Sequence, residues 1–193
     1  MKPYPSSRRY RFLELLVRAA EYLFLPQLLM ALNSVFKRGT RPLTQREVAL
    51  ARKIFHESID YQKVRMDERS VLGCRRYRFA YVGFHYINSW GPLPDAVFVH
   101  EMVHVWQYQR FGAVYIPRAL WAQTTKEGYD YCGIAAIRRA NAENRSLLTF
   151  NYEQQGDIVA DYFCLKNGVV PRWCAANPVY LPEFEKILTI FNQ

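Results

Sequence analysis

The stretch Val97 to Trp106, V-F-V-H-E-M-V-H-V-W, constrains this chain more than any other. On a helix its apolar residues run almost all the way round, and the polar exceptions are His100, Glu101 and His104. A helix of that kind belongs in an interior, where ionisable groups need partners. Positions i and i+4 share a face, so both imidazoles can reach one metal ion. Glu101 is turned roughly 100° about the axis and can stand beside such a metal to activate a water. The competing reading is an ordinary helix with two packed or surface histidines. Pro92 and Pro94 punctuate the preceding loop, Asp95 is the expected N-cap, and Gly112 and Pro117 mark the far end.

Two histidines do not complete a catalytic zinc site, which usually takes three protein ligands and keeps a fourth position for water. The third could come from His56, His85, a cysteine or an acidic residue downstream. The segment 151–163, N-Y-E-Q-Q-G-D-I-V-A-D-Y-F, stands out. Glu153, Asp157 and Asp161 recur every four residues and would line one side of a helix, which Asn167-Gly168 would stop. Such a stripe is ordinarily a solvated face. Behind an H-E-x-x-H helix, a Glu with an Asp one turn later suits a metal better, because the Asp can accept the outer N–H of a ligating His. His85 reads as a packed or surface residue in mid-strand, and His56 is equally ordinary. Cys74, Cys132, Cys164 and Cys174 form no C-x-x-C pair; their even number permits disulfides, and reduced core thiols are the favoured reading.

H-E-M-V-H followed after 48 intervening residues by E-Q-Q-G-D resembles the gluzincin branch of the zincin metallopeptidases, with H-E-x-x-H and then E-x-x-x-D on a second helix. More narrowly, the chain is similar to small bacterial metallopeptidase-like domains encoded near toxin-delivery and contractile-injection genes. Three stretches carry the likeness: Pro42-Leu43-Thr44 with Ala51 to Phe55 and Ser58 to Tyr61, His100 to Gln109, and Glu153 to Phe163. The resemblance implies Zn2+ held by His100, His104 and Glu153, with Glu101 as general base and Asp157 steadying a ligand from behind. It also implies an α+β, zincin-like fold: a small mixed sheet, then the H-E-x-x-H helix and a second ligand-bearing helix, with a sheet edge that receives an extended peptide. The chain departs from the pattern at His56, where a Gly is expected, and at Gly156, where an Ala is expected. Both departures are expected to lie clear of the ligands.

The 193 residues, half of them hydrophobic, suit one domain able to bury a real core, residues 1–193. The net charge of +9 fits nucleic acid, anionic lipid, an acidic wall polymer or simply a basic surface. Arg8, Arg9 and Arg11, and later Arg75, Arg76 and Arg78, form basic knots, yet no nucleic-acid-binding motif accompanies them, so no specific nucleic-acid partner is expected. From Phe12 to Met30 the chain is apolar but interrupted by Glu14, Arg18 and Glu21, short of the ~18 uninterrupted residues a spanning helix needs. It reads as one or two amphipathic helices within residues 1–40, breaking near Pro26 and packing on the core; lying on a membrane surface is the alternative. With no clear cleavage site, the expected location is the cytoplasm of the producing cell, with leaderless export open. A helix is expected near residues 44–58 and strands at Lys63 to Met66, Ser70 to Leu72 and Arg78 to Asn88. Of Tyr129, Tyr131 and Tyr152, one could steady a developing oxyanion, packing being the commoner role. The expected activity is zinc-dependent hydrolysis of a peptide or protein substrate, or of a related amide. The alternative is a non-catalytic zinc-binding interaction module linked to bacterial toxin delivery.

Overall fold

The computed structural model describes residues 8–23, 39–71 and 74–192. Along them run α1 (Arg8–Tyr22), β1 (Arg41–Pro42), α2 (Gln45–Phe55), β2 (Arg65–Asp67), α3 (Cys74–Tyr77), β3 (Tyr81–Gly83), β4 (Tyr86–Asn88), α4 (Asp95–Phe111), α5 (Tyr115–Thr124), α6 (Gly133–Ala142), α7 (Tyr152–Lys166) and α8 (Leu181–Ile187). The class is α+β. Four short strands form one mixed sheet in the order β1-β2-β4-β3. β2 and β4 are parallel, with Met66 opposite Ile87, and the outer strands pair antiparallel. The edges are therefore β1 and β3.

Side-chain chemistry sets the ends of the helices that matter. Thr44 caps α2 in a reciprocal box with Glu47, and Asn151 caps α7 in the same way with Gln154. Caps of this kind are worth about 1 kcal/mol each. Asp95 is not the cap of α4: Pro94 holds that position, and Asp95 opens the first turn, where it pairs with Arg46 at 2.6 Å. A proline suits the spot because it makes no demand for a backbone partner. Gly112 ends α4 at φ 74, and Pro117 falls inside α5 rather than in a loop.

Every α4 residue from Phe98 to Gln107 is buried, as an apolar girth requires. Its most extensive helix contact is with α7. Beneath it, Trp106 meets Phe191 edge-on at 5.0 Å, and Phe191 meets Phe55 at 4.9 Å, tying α2 and the C-terminal turn to α4.

The β region differs from the expected strands in two ways. Arg78 to Asn88 is not one strand but the hairpin β3–β4, turned at Phe84-His85 with Phe84 at φ 61. His85 thus sits at a turn, against the Tyr108 ring at 4.7 Å, and burial pulls its pKa down to about 4. Ser70 and Val71 form no strand; only Arg69 makes an isolated bridge, to Trp90. Leu72, the proposed break at Pro26 and the rest of the apolar run to Met30 lie outside the described residues. The four cysteines are free thiols. Among the described residues no helix is long and apolar enough to cross a membrane.

Candidate metal centre

The structure brings together five residues singled out from the sequence. His100 and His104 project from α4, one turn apart, with ring centroids 5.0 Å from each other. Glu153, in the first turn of α7, points one oxygen at both: Oε2 lies 3.3 Å from His100 Nε2 and 3.4 Å from His104 Nε2. All three side chains are buried, and their donor atoms lie within 4.8 Å of one another, a group that could hold a metal ion.

Each imidazole is held from behind. Asp157, one turn after Glu153, stands 2.7 Å from His100 Nδ1. Gln107 does the same for His104, with Oε1 at 2.8 Å from Nδ1. Its own Nε2 donates to the Tyr152 carbonyl and to Gln155 Oε1, both at 3.0 Å. The amide is therefore oriented with its oxygen toward the ring, so His104 Nδ1 must carry a proton and Nε2 is the nitrogen left to face Glu153 or a metal. Gln123 donates to Glu153 Oε1 at 2.8 Å, leaving Oε2 to face the imidazoles.

A second layer fixes Asp157. The indole N–H of Trp173 donates to Asp157 Oδ2. Trp173 is placed by Asp161, which accepts from the backbone N–H of Arg172 at 2.7 Å and of Trp173 at 2.9 Å, and from the Tyr131 hydroxyl at 2.7 Å. The spacing of Glu153, Asp157 and Asp161 is thus not a solvated stripe: all three are buried, one at the imidazoles, one behind them and one anchoring the loop that closes the back. Gly133, at φ 63, lets that loop approach, since a Cβ there would lie 2.9 Å from the Trp173 carbonyl oxygen.

Gly156 touches the site directly, contrary to the expectation that it lies clear of the ligands. A Cβ at this position would sit 2.5 Å from His100 Cε1 and 2.7 Å from Nδ1. The Cε1 side of the His100 ring occupies the space an alanine methyl would fill. His56, the other departure, is at the α2 C-cap with φ 48 and ψ −124, a conformation that favours glycine, and is remote in role from the imidazoles. Neither His85 nor any cysteine joins the group.

Electrostatics follow from this packing. Burial pulls the His100 pKa down, but hydrogen bonds to Asp157 and Glu153 outweigh it and lift it to about 10. For His104, burial likewise opposes and Glu153 prevails, giving a raised value. Burial alone would raise Glu153; the two imidazoles hold it well below the carboxylate range instead. Glu101 moves the other way, its pKa raised by burial against the pull of His104 and His100. Glu101 Oε2 is buried without a hydrogen-bond partner. A polar atom left so is costly unless a ligand or water completes it.

The tyrosines separate. The Tyr131 hydroxyl is committed to Asp161, and that of Tyr152 takes a 3.0 Å hydrogen bond from Arg118. Tyr129 remains half-buried with its ring centroid 6.0 Å from that of His100, its phenol pKa raised by burial and then by Glu153, Glu101 and Asp157. Gln107, Gln123 and Trp173 were not anticipated. Only Gln107 carried a local signal, since it lies three residues after His104, on the same helix side.

In an alignment 140 residues long that covers 66% of the chain, the protein is 34% identical to the type VI secretion system spike protein VgrG2b of Pseudomonas aeruginosa. It spans 13% of that protein. No family model and no solved structure matches the chain.

Proposed function

We propose that the chain is a zinc-dependent hydrolase that cleaves a peptide or related amide bond, as zincins of the gluzincin kind do, in the setting of bacterial toxin delivery. The observation that carries the reading is the arrangement of donors. Two Nε2 atoms and one carboxylate oxygen converge while both Nδ1 atoms are engaged outward by Asp157 and Gln107. Two neutral imidazoles and a carboxylate fit zinc, which takes such N and O donors and leaves a position open. When bound, zinc supplies Lewis acidity and brings the pKa of a water to near 7.

The chain's own residues would do the rest. His100, His104 and Glu153 hold the ion, and Asp157 keeps His100 in the tautomer that offers Nε2. Glu101 is buried beside the ligands with an uncommitted oxygen, so it can accept the proton of the attacking water and pass it to the leaving amine. Burial raises its pKa, which favours uptake of a proton at this carboxylate. Of Tyr129, Tyr131 and Tyr152, Tyr129 is the one whose ring lies beside His100, which makes it the candidate to donate to a developing oxyanion.

Glu101→Gln keeps shape and polarity but removes the base. Zinc content by mass spectrometry should stay near one per chain, while cleavage in a peptide and peptidoglycan screen falls roughly 10²–10⁴-fold. His100→Ala should lose both metal and activity. The likeness to a secretion spike protein supports a second reading, a non-catalytic zinc-binding module that docks a delivery partner. That reading takes over if Glu101→Gln keeps full biological effect while His100→Ala abolishes fold or docking.

A further inference from the structure

Helix α1 is built inside out. The side turned to the body carries Tyr10, Glu14, Val17 and Glu21. Glu14 holds the Arg118 guanidinium through contacts of 2.7 and 3.1 Å, Glu21 accepts the backbone N–H of Ala113, and the Tyr10 ring lies 6.5 Å from that of Trp121. The opposite side presents Phe12, Leu15, Leu16 and Leu23, exposed by 61, 61, 50 and 70%. A helix that packs on a globular body normally turns its apolar stripe inward. Here polar contacts fasten the helix and the apolar stripe faces out.

Charge sorts with the same polarity. Glu14 and Glu21 are the acidic residues of α1, and both are spent on the inner side. Arg8, Arg11 and Arg18 are exposed and form no ion pair among the described residues. The outward surface of α1 is therefore apolar with a purely positive rim. A second copy of the chain on this face would bring like-charged rims together, whereas an anionic headgroup layer complements the arginines and takes the apolar side chains beneath it.

We propose that the outward face of α1 docks the protein on an anionic lipid surface, the helix lying in the interface plane. Its 15 residues, about 22 Å of helix, would place Phe12, Leu15 and Leu16 at the acyl boundary, with Leu23 just past its end and the arginines among the phosphates. Docking is independent of the metal centre and should survive chelation.

The test is co-sedimentation of the full chain with phosphatidylcholine vesicles with and without phosphatidylglycerol. Binding is expected only with the anionic lipid, weakening as salt is added, by roughly fivefold for each of Arg8→Ala, Arg11→Ala and Arg18→Ala. F12E/L16E, at exposed positions, should abolish binding and leave the thermal unfolding curve unchanged. Absence of binding to anionic vesicles, or binding indifferent to F12E/L16E, overturns the proposal. A dimer seen by light scattering and dissolved by F12E/L16E would assign the face to a second copy instead. A wild type that ignores lipid, with F12E/L16E lowering the melting temperature, would mean that the chain covers this face itself.

Discussion

At the level of single residues, Gly156 is the most informative position. An alanine there would gain about 1 kcal/mol of helix propensity. Its methyl, however, would meet a ring that Asp157 and Glu153 hold on the other sides, and overpacking costs roughly 1–3 kcal/mol. Because His100 cannot swing away without breaking its hydrogen bond to Asp157, the damage should concentrate in the proposed metal binding. Gly156→Ala is expected to weaken zinc affinity roughly 10–100-fold, as loss of a ligand's support does, with little change in far-UV circular dichroism. Competition against a chromogenic chelator measures it. An unchanged affinity would mean that the ring has more freedom than its contacts indicate.

Among the elements, α2 holds a local fault that the sequence already marks. Its N-terminus has a complete capping box, but its C-cap His56 adopts a conformation suited to a residue without a Cβ. Strain of that type costs of order 1–3 kcal/mol. The Tyr61 hydroxyl, which donates to the His56 carbonyl at 2.7 Å, needs only the backbone and would be kept by glycine. His56→Gly should therefore stabilise the chain by about 1 kcal/mol, read as a higher urea midpoint with an unchanged slope. The α7 element shows the complementary case. Its cap, its stop and its four-residue spacing are all local, yet the burial of Glu153, Asp157 and Asp161 comes from α4 and from the loop at Arg172-Trp173.

For the molecule as a whole, the proposed zinc ion would compete with protons for one buried site. Without metal, His100 faces a carboxylate at each ring nitrogen, which is why its pKa rises from 6.5 to about 10. A group whose folded pKa exceeds its unfolded value stabilises the fold fully below the unfolded value. The metal-free protein should accordingly lose stability as the pH climbs from 6.5 toward 10. Zinc requires the Nε2 proton to leave, so zinc-loaded protein should not show this loss, and binding near pH 7.5 should release protons. Denaturant titrations with and without chelator, and calorimetry in buffers of different ionisation enthalpy, test both outcomes. Proton-neutral binding would contradict the imidazolium. Saturating zinc at 100 times its dissociation constant should add about 2.7 kcal/mol.

Much of this was legible in the chain because it depends on neighbours a few positions away. The four-residue spacing of His100 and His104, the apolar girth of their helix, the Asn151 box and the Asn167-Gly168 stop each follow from local periodicity or local hydrogen bonding. The hairpin at Phe84-His85 escaped because Gly83 is the one turn signal in an otherwise aromatic and β-branched run, and the reversal depends on pairing across the sheet. Gln123, Trp173 and the contact of Gly156 with His100 escaped because distant segments supply them. Outward exposure of the apolar side of α1 escaped for the same reason: periodicity gives two faces to a helix, and only Arg118 and the Ala113 amide, far along the chain, choose which one is inside. Sequence alone determined which side chains could share a helix face; the meeting of α4 with α7 decided which of them meet, because short-range spacing sets direction while packing sets distance.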